Sequence, residues 1–225
     1  MKYAVLDWDN TLRNGITLFD WCEFLVKNQI LDPSVLIHLR KLESDYLFGT
    51  INHDELAEKS CSFFAKSLKG KSVKELDQLE NDFLIEFEQR IFSFSKYIAS
   101  FLIKNNCEII FVSGAIKTIL QKYFKKKNIR IFDLHAFECE QINGLYTGNV
   151  LTNFGVNKQQ ILRQLIHHYG KPTYAIGDSS SDEFAFSNSQ KSILVRINST
   201  FSYPANLIIE KSDKDCDVIK KLSKL

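Results

Sequence analysis

Four short stretches of this sequence end on side chains that can hold a cation, hold an anion or attack an electrophile. The first, Tyr3 to Thr11, runs an apolar strand into Asp7, Asp9 and the Thr11 hydroxyl. Acidic pairs of this kind hold a hard cation or divide nucleophile, acid and base roles between them. Along an extended chain Asp7 and Asp9 stand a full pleat apart, so the chain must bend if both serve one site. The second stretch, Ile109-Ile110-Phe111-Val112-Ser113-Gly114-Ala115, reads as a strand ending on a hydroxyl and a glycine before a helix. Such a helix start suits a phosphate oxygen, and Ser113 could equally be a plain helix cap. The third, Gly155-Val156-Asn157-Lys158, opens a helix with a lysine, a position its dipole disfavours unless an anion lies near. The fourth, Tyr174 to Asp182, is a strand ending on Asp178 with Asp182 four residues further on. Taken alone, Asp182 would pass as a first-turn acid of the following helix.

The elements that must position these residues alternate. Runs at Tyr3–Asp7, Glu108–Ser113, Leu134–Glu138, Thr173–Asp178 and Ser192–Ile197 read as strands. Several are almost continuously apolar, as in parallel strands covered on both faces. Helical periodicity separates them at Lys96–Lys104, Ile116–Lys127, Lys158–Tyr169 and Ser181–Ser187. This alternation predicts an α/β fold with a doubly wound, Rossmann-like parallel sheet. Asn143-Gly144, between Cys139–Gln141 and Leu145–Asn149, predicts a β-hairpin.

One interval breaks the alternation. From Thr17 to Phe92 apolar residues recur at spacings of three and four, with helix starts at Asp32-Pro33 and at Asn52 with Glu55. Gly49 and Gly70 read as breaks between helices. A βα crossover needs far fewer residues. The sequence therefore divides into an α/β core, 1–16 plus 93–225, and an inserted helical bundle, 17–92, roofing the strand ends. The bundle's aromatics, among them Phe19, Trp21, Tyr46 and Phe64, are read first as its own core.

Composition narrows the function classes. With 44% hydrophobic and 25% charged residues the chain is an ordinary globular protein, and a net charge of +2 gives no nucleic-acid footprint. Five scattered cysteines form neither a CxxC pair nor a Cys/His cluster. No apolar run reaches membrane-spanning length, and the amino terminus opens directly into a strand. The expectation is a cytoplasmic protein with no nucleic-acid or membrane partner. Its oligomeric state is not legible.

In order, DxDxT at Asp7–Thr11, Ser113-Gly114, Lys158 and GDxxxD at Gly177–Asp182 resemble the four motifs of the haloacid dehalogenase superfamily of phosphohydrolases. The long helical insert and the Gly144–Gly148 hairpin are similar to the phosphoserine-phosphatase-like subgroup. The resemblance implies a phosphatase working through an aspartyl-phosphate, with a small phosphomonoester as substrate and Mg²⁺ as cofactor. It makes Asp7 the nucleophile and Asp9 the acid and base. It gives Mg²⁺ to Asp7, the Asp9 backbone carbonyl and Asp178. It assigns the phosphate-binding set to Thr11, which also supports the nucleophile loop, with Ser113, Gly114 and Lys158. Asp182 orients Lys158 or a metal-bound water. Lys171 is the competing lysine, since it also precedes the fourth motif. Transfer to an acceptor other than water, or a phosphate-binding switch without turnover, remain open alternatives. Phosphoserine phosphatases carry a Glu nine positions beyond the nucleophile, where this chain has Ile16. Asp20 or Glu23 could supply a displaced acid, and Arg40 is the first candidate for a substrate carboxylate.

Overall fold

The computed structural model describes residues 1–197 and 201–225. Strand β1 (Tyr3–Leu6) lies at the centre of a seven-stranded sheet, between β2 (Glu108–Ile116) and β5 (Tyr174–Gly177). It pairs in parallel with both. Beyond β2 come β3 (Asp133–Ile142) and the antiparallel edge strand β4 (Leu145–Thr152). Beyond β5 come β6 (Lys191–Arg196) and β7 (Leu207–Glu210), both parallel. Because β1 has a crossover partner on each side, a crevice opens at its carboxyl end, the position where open α/β sheets bind ligands.

The pleat of these strands explains the two-faced core. Ala4, Leu6, Ile109, Phe111 and Ile176 face one side, packed under helices α5 (Ser95–Lys104), α6 (Lys117–Lys126) and α9 (Asp215–Leu222). Tyr3, Val5, Ile110, Val112 and Ala175 face the other, against α7 (Lys158–Tyr169) and α8 (Glu183–Asn188). Alternate side chains on opposite faces are the period-two signature of a strand.

Four helices fill the interval after β1: α1 (Thr17–Lys27), α2 (Pro33–Leu47), α3 (His53–Ser67) and α4 (Val73–Gln89). The Asp32 carboxylate accepts the Ser34 N–H at the start of α2, and Asn52 with Glu55 closes a reciprocal capping box on α3. The insert is a bundle, but it is not detached. Its apolar interior, including Trp21, Leu25 and Phe64, is continuous with the core on the α5/α6 face of the sheet. Trp8, between the two acids that follow β1, stacks on Phe87 of α4 at 6.0 Å and meets Phe111, Tyr123 and Phe124 edge-on. Such pairs each add about 0.5–1.5 kcal/mol beyond area burial. Trp8 therefore fixes the strand end between the two acids. The α3–α4 loop also pairs with the hairpin: Gly70 N–H donates to Tyr146 O (2.8 Å) and Val73 N–H to Gly144 O (2.9 Å).

Three differences from the sequence expectation concern elements. The third strand and the first hairpin strand are one element, β3, which pairs in parallel with β2 and then antiparallel with β4 across register shifts. The hairpin turn is where expected, with Asn143 at φ 53° and Gly144 at φ 78°. Strand β7 and helix α9 lie beyond the last element expected. Finally, β2 does not end at Ser113. It runs on to Ile116, and α6 starts only at Lys117. Among the described residues no helix is long and apolar enough to cross a membrane.

Candidate active site

The site grows from the carboxyl ends of β1 and β5. After Leu6 the chain leaves the sheet and turns, with Leu12 N–H returning to Trp8 O at 2.9 Å and Asn10 at φ 57°. This turn is the bend that Asp7 and Asp9 require. Asp7 is 8% exposed and Asp178, at the end of neighbouring β5, is 7% exposed. Lys158, the first residue of α7, reaches between the acids: its ammonium stands 3.1 Å from Asp7 Oδ2 and 2.8 Å from Asp182 Oδ1. Lys171, by contrast, is exposed.

Asp182 is committed on both oxygens. While Oδ1 takes Lys158, Oδ2 accepts the backbone N–H groups of Asp178 (3.1 Å) and Ser179 (3.2 Å). Gly177 makes this possible, because a Cβ there would lie 2.3 Å from the Asp182 carboxylate. Asp182 thus ties the β5 loop to α7 and sits behind the cluster. Thr11 is fully buried, and its hydroxyl donates to Asp178 Oδ1 at 2.8 Å. Its N–H turns back to Trp8 O. Both donors of Thr11, for which the sequence leads one to expect a phosphate contact, are directed inside the fold, and its hydroxyl supports Asp178.

Ser113 also departs from expectation. It lies within β2, fully buried, and its Oγ accepts the Ala115 N–H at 3.2 Å. No helix N-terminus stands at Ser113-Gly114, because the register shift between Val112 and Ile116 carries the strand past them. Ser113 still lines the same cavity as Asp7, and it is one of the groups that lower the Asp7 pKa. Gly114 backs onto Gly155, where a Cβ would meet Ala57 of α3 at 3.2 Å. Core and insert touch backbone to helix there.

Asp7, Asp9, Ser113, Gly114, Lys158 and Asp178 line one cavity of about 630 Å³, closed on its far side by residues of α1, α2 and α3. Asp9 is held at the lip of α1. That helix has no side-chain cap of its own at Ile16, and Asp9 supplies one: Oδ2 accepts the Thr17 N–H at 2.9 Å, and Oδ1 accepts the Thr17 hydroxyl. Fully buried Arg13 lies 4.0 Å from Asp9 and 2.5 Å from Asp20, and Arg90 closes on Asp20 at 3.1 Å. Sequence reasoning missed Arg13 and Thr17. Nothing in the local pattern announces that a charged residue will be fully buried or that a helix start will be capped from eight positions upstream.

Three buried carboxylates face one ammonium, so ionising all three would leave the cluster with excess negative charge. Burial raises the Asp7 pKa against the pull of Lys158. Burial, then Asp7 and Asp182, push Asp178 well above the usual carboxylate range. Burial raises Asp9 to about 7, with Arg13 and Thr17 opposing it. Burial works against the Lys158 charge, but Asp182 and Asp7 outweigh it and hold the ammonium above its ordinary pKa. Oxygens of Asp7, Asp178 and Asp182 lie within 4.8 Å of one another, and Asp7 Oδ1 is buried without a hydrogen-bond partner. An all-oxygen donor set, an orphaned carboxylate oxygen and three acids that resist ionising together without a further cation fit a hard divalent cation.

The fold and this site together define an open α/β hydrolase core whose acidic crevice is roofed by a helical insert. The sequence model of haloacid dehalogenase-like hydrolases matches residues 4–183, and the chain belongs to that family. Solved structures share the fold at low identity. A Bordetella pertussis protein of unknown function superimposes with TM-score 0.68 at 18% identity, covering 86% of this chain and 89% of that one. A substrate-bound phosphoserine phosphatase gives 0.65 at 19%, covering 95% of each chain. A phospho-aspartyl intermediate analogue of phosphoserine phosphatase gives 0.64 at 18%, covering 92% of each. No curated protein sequence matches.

The positions weighed from the sequence for an amino acid's charged groups hold a hydrocarbon or side chains paired within the fold. Ile16 lines the cavity as a hydrocarbon wall. Asp20 is bound to Arg13 and Arg90, Glu23 pairs with Lys27 and Arg40, and Arg40 is held by Glu23 and Glu43.

Proposed function

We propose that this protein is a Mg²⁺-dependent phosphomonoester hydrolase that forms an aspartyl-phosphate on Asp7, with 1–16 plus 93–225 as catalytic core and 17–92 as cap. The observation carrying the reading is Asp7 itself, which lines the cavity with Lys158 and Asp178 and has a buried carboxylate oxygen, Oδ1, without a hydrogen-bond partner. Magnesium generally serves members of this family. The residues fitted to hold it are the Asp7 and Asp178 carboxylates with the Asp9 backbone carbonyl, and its chemistry there is to offset the negative charge of the phosphoryl group.

Each step has a residue suited to it. Asp7 Oδ1 attacks phosphorus as the ester bond breaks. Lys158 and Ser113 hold the phosphoryl oxygens, and the backbone at Gly114 leaves room for them. Asp9, with a pKa near neutrality, gives its proton to the departing alcohol oxygen. It then takes a proton from the water that attacks phosphorus, and inorganic phosphate leaves with Asp7 restored. The cap covering the cavity excludes water from the first step. The substrate class is a small phosphorylated metabolite, and the compartment we assign is the cytoplasm.

The direct test is hydrolysis of phenyl phosphate with and without Mg²⁺. Metal-dependent release that EDTA abolishes and Asp7→Asn removes is expected. Undiminished activity in folded Asp7→Asn would refute the assignment.

A further inference from the structure

The far wall of the cavity has a chemistry of its own. Ile16, Leu18 and Phe19 come from the entry to α1, and Leu56, Ala57 and Ser60 from α3. Ser60 is 3% exposed, yet its Oγ has no hydrogen-bond partner. A helical serine commonly bonds the carbonyl four residues back, and here it does not take Leu56 O. The large majority of buried side-chain polar atoms are paired, so an orphaned hydroxyl on a ligand-sized wall marks a candidate recognition point; His53 Nδ1, from the start of α3, is the other atom of this wall without a hydrogen bond. The charged groups argue against the obvious alternatives, His53 on the cap wall lying 3.6 Å from the Asp54 carboxylate. Among the described residues Lys158, on the core side, is the only lysine or arginine lining the cavity. Arg40 is drawn off by Glu23 and Glu43, and Arg13 and Arg90 by Asp20, so no guanidinium is left for a carboxylate. Glu43, the acid on the cap side, is itself paired with Arg40 at 2.8 Å, which leaves an ammonium without an uncommitted partner.

We propose that Ser60 is the specificity-determining contact for the leaving group, and that this group is an uncharged, largely apolar alcohol carrying a hydroxyl or carbonyl oxygen. The Ser60 hydroxyl hydrogen-bonds that oxygen while Ile16, Leu18, Phe19 and Leu56 enclose the carbon chain. This inference rests on the phosphatase reading of the same cavity, and its test is independent of turnover.

The test is calorimetric binding, with Mg²⁺ present, of linear alkyl phosphonates of two to six carbons ending in methyl, hydroxyl, ammonium or carboxylate. At the best length the hydroxyl-ended ligand should bind about two- to thirteenfold tighter than the methyl-ended one, the range of one neutral hydrogen bond. Both should exceed the charged pair. Ser60→Ala should bring the hydroxyl-to-methyl ratio to about one, and Ser60→Thr should retain part of it. A fall in thermal stability alone, with the ratio kept, overturns the proposal, as does tightest binding by the ammonium or carboxylate ligand. Phenyl phosphate turnover separates the two readings. Hydrolysis without a Ser60-dependent preference overturns the subsite alone. A Ser60-dependent preference without hydrolysis upholds the subsite and removes the enzyme.

Discussion

Asp182→Asn removes a carboxylate's unit negative charge and exposes how the cluster is held. An amide has a single acceptor oxygen, whereas the carboxylate serves Lys158 on one side and the Asp178 and Ser179 N–H groups on the other. Whichever way the amide is turned, its NH₂ confronts a donor, in a residue only 5% exposed. Breaking a buried ion pair by removing one partner costs about 3–5 kcal/mol. Lys158 keeps Asp7 at 3.1 Å, however, so the loss should approach that of a hydrogen bond to a charged group, about 1.5–3 kcal/mol. For a domain of this size about 1 kcal/mol moves the melting temperature by about 2–4 °C, so circular dichroism should register a fall of about 3–12 °C. With its second anchor gone, Lys158 is misplaced relative to the phosphoryl group, and kcat/KM for phenyl phosphate should drop about 100-fold. A variant melting within about 1 °C of the parent and within about threefold of its rate would refute the claim that Asp182 positions Lys158.

Further outcomes follow from the same geometry. Asp7, Asp9 and Asp178 all have raised pKa values, so the metal-free fold binds protons that the unfolded chain has released. Its stability is therefore full below about pH 4 for these groups and is lost as pH rises towards the Asp9 value of about 7. Mg²⁺ replaces those protons, and the melting shift it gives should grow from pH 5 to pH 8; a shift that shrinks over this range contradicts the acid cluster. Gly177→Ala sets a methyl group 2.3 Å from the Asp182 carboxylate, and should destabilise the fold by about 1–3 kcal/mol and lower turnover as Asp182→Asn does. Thr17→Val deletes a hydrogen bond that lowers the Asp9 pKa. The basic limb of the kcat/KM–pH profile should move to higher pH, and a limb that moves lower sinks the acid role of Asp9.

The parts legible in the sequence were those set by neighbours in the chain. Continuous apolar runs marked β1 and β5, and the acids at their ends fell together because parallel strands present their carboxyl ends to one crevice. Asp32, Asn52 with Glu55, and Asn143-Gly144 acted through local hydrogen bonding or backbone conformation, so they read correctly. What escaped depended on distant partners. Four-residue β7 gains its place only by pairing with β6. The continuation of β2 past Ser113 is set by its bulged pairing to β3. Thr11 has the right residue type for a phosphate contact, yet it is turned inward by Asp178. Arg13, fully buried over the Phe87 ring at 4.7 Å, violates the rule that charged residues stay outside, because Asp20 and Asp9 come to it through the fold.

Covalent participation of Asp7 is the centre of the account, and acid quenching during turnover tests it most directly. Borohydride reduces an acyl phosphate to an alcohol, so trapped Asp7 would appear as homoserine by peptide mass spectrometry. Homoserine at position 7, formed only with substrate and Mg²⁺ and absent from Asp7→Asn, is the predicted result. Steady turnover with residue 7 unmodified, or phosphate found on Ser113 instead, would contradict it.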